Sequence, residues 1–184
     1  RRYCEKVMEE LSSNNENFGI FSFDLNNLKK INDNMGHTYG DDLISGFARI
    51  LKETFEKEAV VGRMGGDEFI VIIRSDDGRI DYKTFRKKLQ HVIDEYNHKE
   101  SRFKYSVACG YADSTEAGDN NGNVDARQIY SMADDRMYVH KRKIKEVIML
   151  CPNCYAYLKP RMEEVKVVSI YEKLEEFGIG KKNL

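Results

Sequence analysis

Tyr3, Val7, Met8 and Leu11 recur at helical spacing and give way to the polar run Ser12-Ser-Asn-Asn-Glu-Asn17. The chain is therefore expected to open with a short amphipathic helix closed by a turn. Phe18-Gly-Ile-Phe-Ser-Phe-Asp-Leu25 is apolar on both faces, as a central strand covered by helices on each side would be. Leu28, Ile31 and Met35 give a short helical stripe ending at Gly36. His37-Thr-Tyr-Gly-Asp-Asp42 reads as a loop opening a second helix, with Leu43, Ile44, Phe47, Ile50, Leu51 and Phe55 at 3.6-residue periodicity. Ala59-Val60-Val61 and Phe69-Ile-Val-Ile-Ile73 flank Gly65-Gly66, which predicts a hairpin with a tight turn, since glycine enters φ > 0 without penalty. Asp81 begins a helix with Tyr82, Phe85, Leu89, Val92, Ile93 and Tyr96 inward, and residues 103–111 alternate well enough for a strand. Residues 113–123 are a Gly/Asn/Asp-rich loop, Asp125 to about Lys145 a further helix, and residues 146–150 a closing strand. The expected fold is an α/β (α+β) sandwich: a central mixed sheet of about five strands with an antiparallel hairpin, flanked by helices.

Length adds a boundary. One domain over residues 1–150 and an appendage of unassigned role over 151–184 fit the 184 residues. In the appendage, Met162, Val165, Val168, Tyr171, Leu174 and Phe177 are spaced for an amphipathic helix over 160–177. Charge removes function classes: 30 basic against 31 acidic residues leave no bulk field that points to nucleic acid or a membrane surface. No apolar run approaches the roughly 18 residues of a membrane helix, and no signal peptide is visible. The four cysteines suggest no disulfide framework, so a cytoplasmic setting is the default. Cys151-Pro-Asn-Cys154 resembles half of a zinc knuckle, but no later Cys or His completes it, and a solvent-exposed turn or a truncated second module is the plainer reading. A chain that begins Arg1-Arg2-Tyr3 reads as a piece of something longer.

Candidate chemistry gathers around the hairpin. Asp67 and Glu68 follow the glycines, and acids beside a turn are usually only solvated. Asp24 is a charge near the end of an apolar strand, which is costly unless a cation or hydrogen bonds compensate it. If the strands of Asp24 and Asp67 are neighbours, about 4.8 Å apart, their carboxylates face one another across the ladder. Two metals about 3.5–4 Å apart fit such ligands, as in phosphoryl transfer. The turn after Asp24, with Lys29 following, offers backbone N–H groups and a cation to phosphates. Asn32 and Asp41 carry the groups that pair with a guanine edge; helix surface and an N-terminal-turn charge are the plainer readings of each.

Phe23-Asp-Leu-Asn-Asn-Leu-Lys-Lys-Ile-Asn-Asp-Asn-Met-Gly-His-Thr-Tyr-Gly-Asp-Asp-Leu43, followed some twenty residues later by Arg63-Met-Gly-Gly-Asp-Glu-Phe69, resembles a GGDEF domain, the diguanylate cyclase family. The resemblance covers roughly residues 1–150 and implies a palm-like nucleotidyl cyclase fold that joins two GTP into cyclic di-GMP with release of pyrophosphate. It implies Asp24, the carbonyl of Leu25 and Asp67 as ligands of Mg²⁺ (or Mn²⁺), and Asp67 as base for the ribose 3′-hydroxyl. Glu68 would lie on the opposite face of the strand or help hold the second metal. Lys29 matches a phosphate contact, Asn32 and Asp41 the guanine-reading pair, and Lys141 a triphosphate-binding lysine. Lys145 stands where arginine is usual, keeping the charge without the bidentate fork. The glycines would leave room for a nucleotide over the turn. Glu56-Lys-Glu-Ala59 replaces the Arg-x-x-Asp product-inhibition motif, so feedback through that site is not expected. One GTP per subunit implies a homodimer, with a dimerising or sensory region before Arg1 and localisation in the cytoplasm, free or tethered through that part. The isolated piece would bind GTP and turn it over slowly. Two alternatives stay open: a catalytically weak or silent module that binds GTP for regulation, and a plain interaction domain.

Overall fold

The computed structural model describes residues 1–14, 16–55, 59–75, 80–100, 102–117, 123–142, 146–149, 156, 159 and 166–176. These divide into two units, Arg1–Lys141 and Arg142–Leu184. In the first, the order is α1 (Arg2–Asn14), β1 (Phe18–Leu25), α2 (Leu28–Met35), α3 (His37–Thr54), β2 (Val60–Arg63), β3 (Glu68–Arg74), α4 (Tyr82–Lys99), β4 (Val107–Asp113) and α5 (Ala126–Lys141). The strands lie side by side as β2-β3-β1-β4, and every pairing is antiparallel.

β1 is buried along its whole length because both faces are covered. Phe21, Phe23 and Leu25 enter one core with Leu43, Phe47 and Leu51 of α3 and Leu89, Val92 and Ile93 of α4. Phe18 and Ile20, on the other face, pack with Cys4, Val7, Met8 and Leu11 of α1 and Ile129 and Ala133 of α5. Helices on both sides of a sheet whose central strand is buried throughout make the expected α+β architecture.

Several elements differ from expectation. α3 starts at His37 rather than after Asp42, because Gly36 (φ 95°) turns the chain straight from α2 into α3. The strand expected from Phe103 begins only at Val107. Asn97 of α4 explains this: its Nδ2 donates to the Tyr105 carbonyl at 2.9 Å and its Oδ1 accepts from the Tyr105 N–H at 2.6 Å. A helix side chain has taken the backbone groups that a ladder would use. The sheet has four strands and is wholly antiparallel among the described residues, not mixed and five-stranded. The expected fifth strand exists as β5 (Glu146–Met149), but it pairs in parallel with β6 (Lys166–Ser169) in the second unit.

That second unit also corrects the helix expected over 160–177. Residues 166–169 are extended, and α6 (Ile170–Glu176) starts only after them. Ser169 Oγ accepts from the Glu172 N–H at 3.1 Å while Glu172 Oε2 accepts from the Ser169 N–H at 2.7 Å. This reciprocal cap fixes where the helix begins. Cys151 and Cys154 lie outside the described residues.

Candidate nucleotide and metal site

The C-terminal end of β1 is held from both sides. The Leu25 N–H donates to the Asp67 carbonyl at 2.8 Å, and the Asn26 N–H donates to the Ser106 carbonyl at 2.9 Å. Between β1 and α2, Asn27 takes φ 69° and ψ 7°, the left-handed region that asparagine tolerates better than most residues. As N-cap of α2 it makes no side-chain hydrogen bond, so its side chain satisfies none of the first-turn N–H groups. Lys29 is exposed on that first turn.

Asp24 does not oppose Asp67. Its partner across β1 and β3 is Glu68, with Phe23 opposite Phe69. Directly opposed residues of an antiparallel pair project to the same face, so Asp24 and Glu68 share the face that carries Ile20, Ile70 and Ile72. Glu68 is exposed there. Asp67 falls one residue before β3, half-buried in the hairpin loop, and joins β1 through its carbonyl. The cause is the loop length. Four residues, Met64 to Asp67, separate β2 from β3, closed by the Met64 N–H donating to the Glu68 carbonyl at 2.9 Å.

The glycines of this loop are not needed for the positive φ that the tight turn was expected to use. Gly36 is the one glycine with positive φ among the described residues, so neither Gly65 nor Gly66 is held in the left-handed region. A Cβ built on Gly66 would meet nothing within 4 Å. The fold does not require glycine there; open space over the turn does not need one either until something occupies it. Arg63 braces the loop, donating from Nε to the Gly65 and Gly66 carbonyls and from Nη2 to the Gly66 carbonyl at 2.8 Å. Sequence reading missed this brace, although a guanidinium beside two glycine carbonyls is its signal.

Asp24 is 4% exposed. Lys141, at the end of α5, donates from Nζ to Asp24 Oδ2 at 2.5 Å. The other oxygen, Oδ1, is buried without a hydrogen-bond partner. The Lys141 pKa is raised, first by its hydrogen bond to Asp24 against some burial, then by the charges of Asp24, Asp67 and Glu68. Asp24 holds the ammonium directly, and the charges of Asp67 and Glu68 add to the same shift in smaller measure. Among the described residues no group of three or more His, Cys, Asp or Glu side chains is gathered closely enough to hold a metal ion. The expected set contains only two such side chains, the third ligand being the Leu25 carbonyl. A buried, unpartnered carboxylate oxygen is the kind of donor that a hard divalent cation takes, and on that observation the residues fit Mg²⁺.

Asn32 of α2 is half-buried, and its Oδ1 is also buried without a partner. A Cβ on Gly40 would stand 2.0 Å from that oxygen, so the absence of a side chain at 40 leaves the room that Asn32 fills. Asp41 follows Gly40, exposed and beyond the first turn of α3, where no acid lies. A helix-dipole role therefore does not account for Asp41. On the same face of β1, two residues before Asp24, Ser22 Oγ donates to Asp134 Oδ1 of α5 at 2.9 Å. Lys145 and residues 56–58 lie outside the described residues.

An antiparallel sheet between two helical layers, with acids where β1 meets a Gly-Gly hairpin, defines an α+β palm-like domain. The family model described as "Diguanylate cyclase, GGDEF domain" matches residues 1–146, and the chain belongs to that family, one of cyclic di-GMP synthesis. It is 32% identical over 146 residues to signaling protein YkoW of Bacillus subtilis, covering 78% of this chain and 18% of that protein. It is 30% identical over 133 residues to diguanylate cyclase DgcS of Shewanella oneidensis, covering 72% of this chain and 42% of that one. The chain thus spans less than half the length of these relatives. A microbial GGDEF domain described for its interaction with cyclic di-GMP superposes with a TM-score of 0.58 at 26% identity, over 78% of this chain and 87% of that one. The coiled coil and GGDEF domain of DgcB from Caulobacter crescentus, in complex with c-di-GMP, gives 0.59 at 17% identity, over 89% and 75% respectively, a likeness of fold.

Proposed function

We propose that this domain is a Mg²⁺-dependent diguanylate cyclase that condenses two GTP into cyclic di-GMP and releases pyrophosphate. What supports this above all is Asp24: a carboxylate 4% exposed, with one oxygen on Lys141 and the other without a partner. A purely structural acid would have both oxygens satisfied. Asp24, Asp67 and the Leu25 carbonyl would hold Mg²⁺ (or Mn²⁺), with Glu68 on the same face as Asp24. The bound cation would neutralise charge on the phosphates. Asp67 would take the proton of the attacking 3′-hydroxyl, a role that suits a half-buried acid on a loop. Lys29 and Lys141 would pair with phosphate oxygens, with Lys145 beyond them. Asn32 and Asp41 would bind the guanine edge. Ring closure needs a second GTP presented by a second subunit, so the active species would be a homodimer held by parts of a longer protein. Incubating the dimeric full-length protein with GTP and Mg²⁺ and finding no cyclic di-GMP, even at high protein concentration, would count against this proposal.

One observation favours a second reading. Lys141 stands on Asp24, occupying the carboxylate that the proposed cation would need, as it would in a module that binds GTP without turning it over. Calorimetry that detects GTP binding while no pyrophosphate appears would select that reading.

A further inference from the structure

Arg102 lies just after α4, far along the chain from α3, yet it reaches the turn that carries Asp41. Its Nη1 donates to Asp42 Oδ2 at 2.7 Å. Its Nε and Nη2 grip Glu100 through Oε1 at 3.0 Å and Oε2 at 2.7 Å, a bidentate fork. Its guanidinium carbon also lies 5.7 Å from the Tyr39 ring centroid and 5.2 Å from that of Phe103. Tyr39 and Asp42 bracket Gly40 and Asp41, and Gly40 is the surface on which Asn32 rests. One cation is therefore fastened to Glu100 and Phe103 on one side and to both ends of the Tyr39–Asp42 turn on the other.

An isolated exposed ion pair would hold little. Here two carboxylates and two rings act on one planar group, and a network of that kind restrains a turn where a single pair does not. Lysine could not replace it, because a point charge cannot serve a fork, a third carboxylate oxygen and two ring faces together.

The geometry points to Arg102 as a positioning residue for nucleobase recognition: by clamping Tyr39 and Asp42 it fixes the orientation of Asp41 beside Asn32. It rests on the proposal that Asn32 and Asp41 bind guanine. The partners of Arg102 (Glu100, Asp42, Tyr39 and Phe103) include none of the residues proposed to hold nucleotide or metal, so its loss should act on base discrimination and leave the chemical step alone.

The test compares wild type, Arg102→Ala, Arg102→Lys and Asp42→Asn in the dimeric full-length protein, with GTP and with ITP, which lacks the exocyclic amine. Arg102→Ala should raise KM for GTP roughly three- to tenfold, narrow the preference for GTP over ITP, and leave kcat within about twofold. Asp42→Asn should move the same parameters by less, and Arg102→Lys should stay close to Arg102→Ala, since the charge alone does not restore the fork. Unchanged KM and unchanged GTP/ITP preference in Arg102→Ala, or a fall in kcat alone, would overturn the inference. Amide hydrogen exchange over residues 38–43 separates this from failure of the guanine reading. If wild type binds no GTP, the guanine proposal fails. Faster exchange of those amides in Arg102→Ala would still support the clamp, and unchanged exchange would refute it.

Discussion

At the level of single residues, the site is a set of acids whose neighbours decide their roles. Asp24 was legible because a charge inside Phe18–Leu25 breaks an otherwise apolar strand. Its partner was not legible. Alternation identifies the faces of a strand but not the number of loop residues, and a shift of one exchanges Asp67 for Glu68 opposite Asp24. Gly66 offers a direct test at this scale. Since a Cβ there meets nothing within 4 Å, Gly66→Ala should leave stability within about 0.5 kcal/mol of wild type. It should nevertheless lower GTP turnover about tenfold or more, because a nucleotide over the turn would be displaced. Thermal unfolding beside a turnover assay checks both halves, and a Gly66→Ala protein with wild-type turnover would place the nucleotide elsewhere.

Among elements, those with a strong apolar period were readable: α1, β1 and α4 follow the stripes that predict them. The start of β4 was not, because Phe103 and Tyr105 are buried as a strand's residues would be while Asn97 claims the Tyr105 backbone. Nothing in the local pattern reports a hydrogen bond to a side chain eight residues earlier. Asn97→Ala should leave a buried N–H and carbonyl unpaired and lower unfolding free energy by about 1–3 kcal/mol, measurable by urea denaturation. A change below a few tenths would mean that water replaces the side chain at no loss. The start of α6 illustrates the converse. Ser169 and Glu172 form a capping box three residues apart, a signal present in the sequence and outweighed there by the apolar spacing of residues 162–177.

For the molecule as a whole, the two-layered core around β1 governs stability, and several tyrosines belong to it. Burial, then Asp134 and Glu68, push the Tyr130 phenol up to about 12, and burial first raises Tyr111, Tyr105 and Tyr96 as well. A folded pKa above the unfolded value means that protons leave the unfolded chain first. The stabilising effect is full below about pH 10, the ordinary phenol value, and is lost as pH rises toward 12. Lys141 acts in the same sense, since its ion pair persists until its raised pKa is passed. Unfolding midpoints should therefore fall steeply above pH 10, with late, cooperative phenolate absorbance. Tyr105, Tyr111 and Tyr130 losing their protons near pH 10 in the folded protein would contradict the packing described.

The same molecule, assembled as a dimer in its full length, should turn GTP over through the acids at the end of β1. Pyrophosphate release from GTP with Mg²⁺, measured for wild type and Asp67→Ala side by side, tests this most directly. Wild type should release pyrophosphate at a rate at least about a hundredfold above Asp67→Ala, with circular dichroism unchanged between the two. Equal rates in the two proteins, or GTP bound by wild type with no pyrophosphate released, would contradict the assignment of this hairpin as a catalytic centre.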